Sequence, residues 1–204
     1  MGSYETINFV KKGSSEEDLI INDIIFTGQV LHKEGLVNAQ AGNISVRNGD
    51  SVYITKTGAY LGYLTENDIV KVHLYKSSLI DTTASSELIV HREIYKSMPD
   101  INAVIHAHPV YAVSLTFKLD DYFCPIDNEG KMFLGSIPIL EVEKASASLE
   151  LAHNVRKTLK KEQKNFLLIK THGSIAIGKN LKEALRWTSD MEFCAKVFTL
   201  ANTF

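Results

Sequence analysis

"INAVIHAHPV" (101–110) is an apolar run that carries two histidines two positions apart and meets a proline near its end. Its length and its β-branched residues fit a buried strand. Side chains two apart on a strand point to the same side of a sheet. His106 and His108 therefore face one way and Ala107 the other. Pro109 stops the strand, so both rings lie near a sheet end, where a site can open. The pair alone leaves two readings open: two metal ligands, or two polar residues packed in a strand.

The surrounding pattern alternates strands and helices. Over 15–35, Ile21, Ile24, Ile25 and Leu31 recur at helical spacing, with acidic residues at the start and Lys33 and Gly35 at the end. The stretches 42–47, 51–58 and 68–74 read as short strands punctuated by Asn48-Gly49-Asp50, Gly58 and Gly62. Leu88, His91, Ile94, Tyr95 and Met98 line one face of a helix expected over 85–98, which Pro99 ends. Downstream the spacing predicts a helix over 110–118, loop with short strands over 120–139, and a Lys-rich amphipathic helix over 145–161. "NFLLIKTHGSIAIG" (165–178) predicts a hairpin turning near Gly173, and Asn180 caps a last helix over 181–201. The order implies one α/β or α+β unit spanning 1–204, a sheet covered by helices.

Composition narrows the function classes. With 204 residues, 45% of them apolar, the chain is long enough for one domain with a real core. No apolar stretch reaches bilayer length, which argues against a membrane partner. Net charge is −2 with Lys and Arg dispersed, which argues against nucleic acid. Cys124 and Cys194 are the only cysteines and form no CxxC, so neither a disulfide framework nor a thiolate metal site is expected. The expected compartment is the cytoplasm. "MGSYETINFV" does not read as a secretion signal, and Met1-Gly2-Ser3 reads as a cloning remnant. The chain ends at Phe204, soon after its last helix, so no long tail is expected to close a site.

A third histidine, His172, falls at the tip of the second apolar hairpin, beside Gly173. Three imidazoles with one open position are a common catalytic Zn²⁺ arrangement. His91 reads as a packing residue. His32, His73 and His153 read as surface or core-edge residues, and Trp187 as an interface aromatic.

Five short motifs occur in order: "GNIS" (42–45), "TKTG" (55–58), "ASSE" (84–87), "HAHP" (106–109) and "THG" (171–173). Together they resemble the class II aldolase/adducin family, in its L-fuculose-phosphate aldolase-like branch, over residues 15–200. The resemblance implies a three-layer sandwich with a central, mostly antiparallel sheet covered by helices. It also implies a homotetramer with active sites between subunits. By resemblance, His106, His108 and His172 match the ligands of one divalent metal per subunit, Zn²⁺ being most usual. Glu87 matches the catalytic acid/base, and Gly42, Asn43, Thr57, Gly58, Ser85 and Ser86 match phosphate-binding positions.

The implied reaction is reversible cleavage of a ketose 1-phosphate to dihydroxyacetone phosphate and an aldehyde, through a metal-stabilised enediolate. General chemistry is compatible with each role. Glycines let backbone approach an anion, and hydroxyls at a helix start can cap it or bind phosphate. Glu87 has a plainer reading as a surface carboxylate in a helix's first turn.

One segment departs from the branch, whose members carry a tyrosine after HAHP at the aldehyde end. In "DDYFCPIDNEGKMFLG" (120–135), Tyr122 falls too early and Asp127 falls nearest the expected place, as its replacement. Other readings on the same scaffold are a sugar-phosphate epimerase, a methylthioribulose-phosphate dehydratase, or a non-enzymatic adducin-like interaction domain. The epimerases usually carry aspartate where Glu87 stands, and adducin-like heads lack the three histidines.

Overall fold

The structure is a computed structural model that describes residues 15–203. The readings made for the first ten residues, the secretion signal and the cloning remnant among them, lie outside the described residues. Among the described residues eight strands are formed: β1 (Asn43–Asn48), β2 (Ser51–Thr55), β3 (Ile69–His73), β4 (Ala103–Ala107), β5 (Tyr122–Phe123), β6 (Ile137–Leu140), β7 (Phe166–Ile169) and β8 (Gly173–Gly178). They make one sheet in the order β3-β2-β1-β4-β8-β7-β6-β5. The HAHP strand β4 is therefore central, with Asn43 opposite His106 on one side and Ile175 opposite His106 on the other. Of these pairings β6–β7 is parallel and the rest are antiparallel.

Five α-helices of the described residues cover the sheet: α1 (Glu16–Lys33), α2 (Leu88–Ser97), α3 (Val110–Leu115), α4 (Leu149–Glu162) and α5 (Leu181–Ala201). Strand alternation divides the core between the two faces. Val52, Ile54, Val70, Val72, Val104, Leu167, Ile169, Ile175 and Ile177 pack with Ile94 of α2 and Val155 of α4. Tyr53, Ile69, Ala103, Ile105 and Ala107 pack on the opposite face with Ile24 and Leu31 of α1 and Ala184 of α5. The result is the helix–sheet–helix sandwich implied by the motifs. His106 shares the register of Val104, so it points toward the α2/α4 layer.

The helix ends follow side-chain chemistry. Ser15 and Asp18 form a capping box at the start of α1. Ser148 caps α4 and Asn180 caps α5, each through a bond to a backbone N–H three residues on. Two starts differ from the sequence expectation. The 85–98 helix begins only at Leu88, because Ser85 and Ser86 are occupied by the turn before it. The 145–161 helix begins at Leu149, because Ala147 takes a left-handed backbone, φ 46°, which no helix can continue through. Among the described residues no helix is long and apolar enough to cross a membrane.

Candidate active site

His106 lies within β4, and His108 lies one residue past its end, where its N–H donates to the Leu36 carbonyl at 2.9 Å. His172 comes from the turn between β7 and β8. That turn is tight, and Thr171 before it adopts a left-handed backbone, φ 59°. A β-branched residue resists that conformation, so its environment must hold it. Its N–H donates to the hydroxyl of buried Thr116 at 2.8 Å, and the His172 N–H closes on the Ile169 carbonyl at 3.1 Å. The three rings then meet in a nearly equilateral triangle, with centroids 4.7, 4.9 and 4.9 Å apart.

The hydrogen bonds set which nitrogens face the centre. His106 Nδ1 is 2.9 Å from the Ser174 carbonyl oxygen, which can only accept. Nδ1 therefore carries the proton, and Nε2 presents a lone pair. That lone pair lies 3.0 Å from His108 Nε2. Two nitrogens of a tetrahedral Zn²⁺ site stand about 3.3 Å apart, given Zn–N bonds of about 2.0–2.1 Å. His172 Nδ1 is buried without a hydrogen-bond partner among the described residues. Burial, with the neighbouring imidazoles, pushes His106 and His108 down to about 3, so both are neutral, the form that binds metal. One donor atom from each ring lies within 4.8 Å of the others. The donor set fits a divalent transition metal.

Gly173 explains why a glycine follows His172. A Cβ there would stand 2.5 Å from the Ala107 carbonyl oxygen and 2.8 Å from His106 Cε1. Gly173→Ala is expected to push the His106 ring out of register and lower metal content well below that of the wild type, as read by elemental analysis of purified protein. A variant that retained full metal would refute this packing argument.

Glu87 takes the N-cap position of α2, with φ −84° and ψ 4°, and so stands just before the first turn in which it was expected. Its side chain does not cap the helix. It is only 5% exposed, which excludes the surface-carboxylate reading. Oε1 accepts the N–H of Ala147 at 3.0 Å. Oε2 is buried without a hydrogen-bond partner among the described residues and lies 4.0 Å from His106 Nε2. Burial raises the carboxyl above its ordinary range, opposed by the Ala147 bond and by His172. A basic oxygen thus faces the histidines while its twin is tethered.

Of the residues expected to bind phosphate, Thr57 and Ser85 share one hydrogen-bonded corner. The Ile44 N–H donates to Thr55 Oγ1 at 3.2 Å, and Ser85 N–H donates to the Thr55 carbonyl at 3.0 Å. Thr57 donates its hydroxyl to the Ala84 carbonyl at 2.7 Å, and Ser85 Oγ accepts the Glu87 N–H at 3.3 Å. Thr57, Ser85 and Ser86 line one cavity of about 590 Å³, whose walls also carry Lys96, Glu93, and Arg92, which is paired with Asp81 at 2.6 Å. Gly58, φ 76°, leaves open space where a Cβ would stand, its nearest neighbour being Gln40 at 3.9 Å. Gly42 is different: its missing Cβ makes room for the His106 carbonyl, 2.7 Å away, so the approach it permits is between strands. Asn43 is buried beside His106 across the β1–β4 pair.

Asp127 lies elsewhere in its bonding. Its Oδ1 accepts the Gly130 N–H at 2.7 Å and the Cys194 thiol at 3.7 Å, closing the π-helical turn Gly130–Leu134. Among the described residues it makes no hydrogen bond to the three histidines. Tyr122 is exposed on β5. Trp187 packs on Phe166, with ring centroids 5.3 Å apart, within the subunit. His32 and His73 are half-buried and His153 is exposed. His91 is fully buried and more than a packing residue: both ring nitrogens are bonded, Nδ1 to Ser45 Oγ and Nε2 to Asn43 Oδ1, each at 2.6 Å. Burial pushes it down to about 3, so it is neutral. The usable signal was the N-x-S spacing at 43–45 set against H-x-x-x-Y at 91–95, a strand period facing a helix period.

The family described as Class II Aldolase and Adducin N-terminal domain matches residues 22–199. An L-fuculose phosphate aldolase from Methanocaldococcus jannaschii is 34% identical over 172 residues, covering 84% of this chain and 91% of that protein. One from Methanococcus maripaludis is 31% identical over 182 residues, covering 89% of this chain and 97% of that protein. The crystal structure of L-fuculose-1-phosphate aldolase from Thermus thermophilus superposes with a TM-score of 0.83 at 32% identity, covering 90% of this chain and 94% of that one. Three converging histidines, a buried carboxylate before them and these likenesses lead to one assignment: the chain belongs to the class II aldolase and adducin family and is a class II aldolase.

Proposed function

We propose that this aldolase reversibly cleaves a ketose 1-phosphate, of the fuculose 1-phosphate or deoxypentulose phosphate kind, to dihydroxyacetone phosphate and an aldehyde. His106, His108 and His172 would hold one Zn²⁺ per subunit. The relatives at 31–34% identity that are named L-fuculose phosphate aldolases support this substrate class. The observation that carries the reading is Glu87 Oε2, buried, without a hydrogen-bond partner among the described residues, and 4.0 Å from His106 Nε2. A carboxylate is stable there only with a cation or a proton to meet it.

A bound divalent ion supplies Lewis-acid stabilisation of the charge that develops on the substrate's carbonyl oxygen. Glu87 does the proton work. In cleavage it delivers a proton to the carbon beside the carbonyl of the three-carbon fragment, and in synthesis it removes that proton. Burial raises its affinity for a proton, which favours a carboxyl that both takes and gives one. The Ala147 N–H holds Oε1, so the transferring oxygen is Oε2. Asn43, Thr57, Gly58, Ser85 and Ser86 receive the phosphate end, and Gly42, also expected there, acts beside them by letting β1 close on the His106 carbonyl. Asp127 has Oδ1 bonded within its turn, while Oδ2 is buried without a hydrogen-bond partner among the described residues; it is kept as the candidate group at the aldehyde end.

The test uses metal-loaded protein with dihydroxyacetone phosphate in deuterated water. Exchange of one carbon-bound proton without any aldehyde is the expected result. A fully loaded protein that catalysed no exchange would overturn the reading. A panel of aldehydes then names the second substrate by product stereochemistry.

The working form is read as a cytoplasmic homotetramer with sites between subunits. Cys124 and Cys194 are free thiols, which suits a reducing compartment. Tyr63, Phe117 and Met132 are 70, 68 and 69% exposed, apolar surface of a kind that subunit contacts cover. Light scattering at micromolar concentration should report four chains, and a fully active monomer would count against it.

A further inference from the structure

Beneath Asn43 lies a closed chain of hydrogen bonds that the reaction itself does not use. Asn43 and Ser45 are two apart on β1 and face α2, where His91 and Tyr95 are four apart and face the strand. His91 Nε2 lies 2.6 Å from Asn43 Oδ1, and His91 Nδ1 lies 2.6 Å from Ser45 Oγ. Ser45 Oγ lies 2.7 Å from Tyr95 OH, which also donates to the Ser45 carbonyl at 3.0 Å. All four side chains are buried.

The protons in this chain have one consistent direction. An amide oxygen only accepts, so His91 Nε2 carries the proton. The ring is neutral, so Nδ1 is bare and the Ser45 hydroxyl donates to it. Tyr95 shares its proton between the Ser45 hydroxyl and carbonyl oxygens. The polarity then runs Tyr95 to Ser45 to His91 to Asn43, ending on the amide oxygen. Asn43 has one other polar end, its NH₂, which makes no hydrogen bond to the described residues. Opposed strand residues have Cβ atoms about 4.5–5.5 Å apart, so the side chain of Asn43 starts next to that of His106.

We propose that His91 is a positioning residue: through Nε2–H it holds the Asn43 carbonyl, so that Asn43 presents two N–H donors to an anionic oxygen of the substrate beside the histidine triad. This rests on the proposed reaction for the nature of the ligand, but the orientation itself does not. Without His91, the Asn43 amide could turn over and offer its oxygen, which repels an anion. The unused face of α2 thereby acts on binding without touching substrate.

Two measurements on the metal-loaded protein test this. Long-range ¹H–¹⁵N spectra of the wild type should show His91 as the Nε2–H tautomer, and an Nδ1–H tautomer overturns the proposal whatever the enzyme's substrate. The second is KM for dihydroxyacetone phosphate in the proton-exchange reaction. Glutamine at 91 can place an amide N–H where Nε2–H stood, whereas asparagine reaches only the Nδ1 place. His91→Gln should therefore stay within about threefold of wild type, and His91→Asn should raise KM about 10- to 100-fold, the range for a lost hydrogen bond to a charged group.

In an Asn43→Ala background His91→Asn should add nothing, because its effect passes through Asn43. An equal further rise in that background overturns the positioning role, as does an unchanged KM in Asn43→Ala alone. Ser45→Ala, a milder cut in the same chain, should shift KM in the same sense if His91→Asn proves poorly folded, and an unchanged KM there also overturns it. A wild type that exchanges no proton strikes the aldolase reading, while the tautomer still decides the orientation.

Discussion

His172→Ala should purify with little metal and show no metal-dependent rise in melting temperature. The reason is the number of donors. His106 Nε2 and His108 Nε2 stand 3.0 Å apart, and two imidazoles alone leave a divalent ion half-solvated. Changing a group that merely supports a ligand typically costs about 10–100-fold in metal affinity, so removing a ligand should cost more. Binding at a thousand times Kd stabilises a fold by about 4.1 kcal/mol, so the wild type should gain several degrees on adding Zn²⁺. His172→Ala should gain almost none at the same concentration, and proton exchange should fall to background. His153, exposed on α4, is the control: His153→Ala should match the wild type in all three readings. Full metal retention in His172→Ala would remove it from the ligand set.

That triad was legible early because it rests on two short-range rules. The period of two on β4 puts His106 and His108 on one face, and hairpin geometry brings a turn residue back to the neighbouring strand end. Less legible was what holds the triad. Thr171's left-handed backbone depends on Thr116, 55 positions away in sequence, and nothing local announces it. Glu87's environment was hidden for the same reason. Its tether is the backbone of Ala147, 60 positions on, in a stretch whose composition reads as helix. Propensity favoured helix at 145–148, but the left-handed Ala147 and the Ser148 cap delayed it to Leu149. His91 shows the converse error. A histidine on an apolar helix face reads as packing until the strand opposite supplies Asn43 and Ser45, a pairing only the fold reveals. Asp127 is legible only by its place in a segment; the fold adds that Oδ1 closes a turn with Gly130 and Cys194 while Oδ2 is buried without a hydrogen-bond partner among the described residues.

Glu87→Gln should lower turnover by about 10²–10⁴, the usual worth of a general base, while metal content stays at the wild-type level. Glutamine keeps the length of the side chain and can still accept the Ala147 N–H through its oxygen, so the 3.0 Å tether survives. What it lacks is a basic atom at the place of Oε2. The amide nitrogen there cannot take a proton from carbon, however well it is placed. Two alternatives to this role give different results. If Glu87 served chiefly to balance the charge of the metal site, Glu87→Gln would weaken metal retention, and added metal would restore the rate. If it served chiefly to fix the start of α2, the variant would melt earlier and turnover per folded molecule would persist. The structure argues against that last role, because the Glu87 side chain makes no cap and is only 5% exposed. The deciding measurement is deuterium exchange into dihydroxyacetone phosphate, which needs no aldehyde and so reports on the proton step alone. Exchange by Glu87→Gln at the wild-type rate, with metal in place, would take the proton transfer away from Glu87.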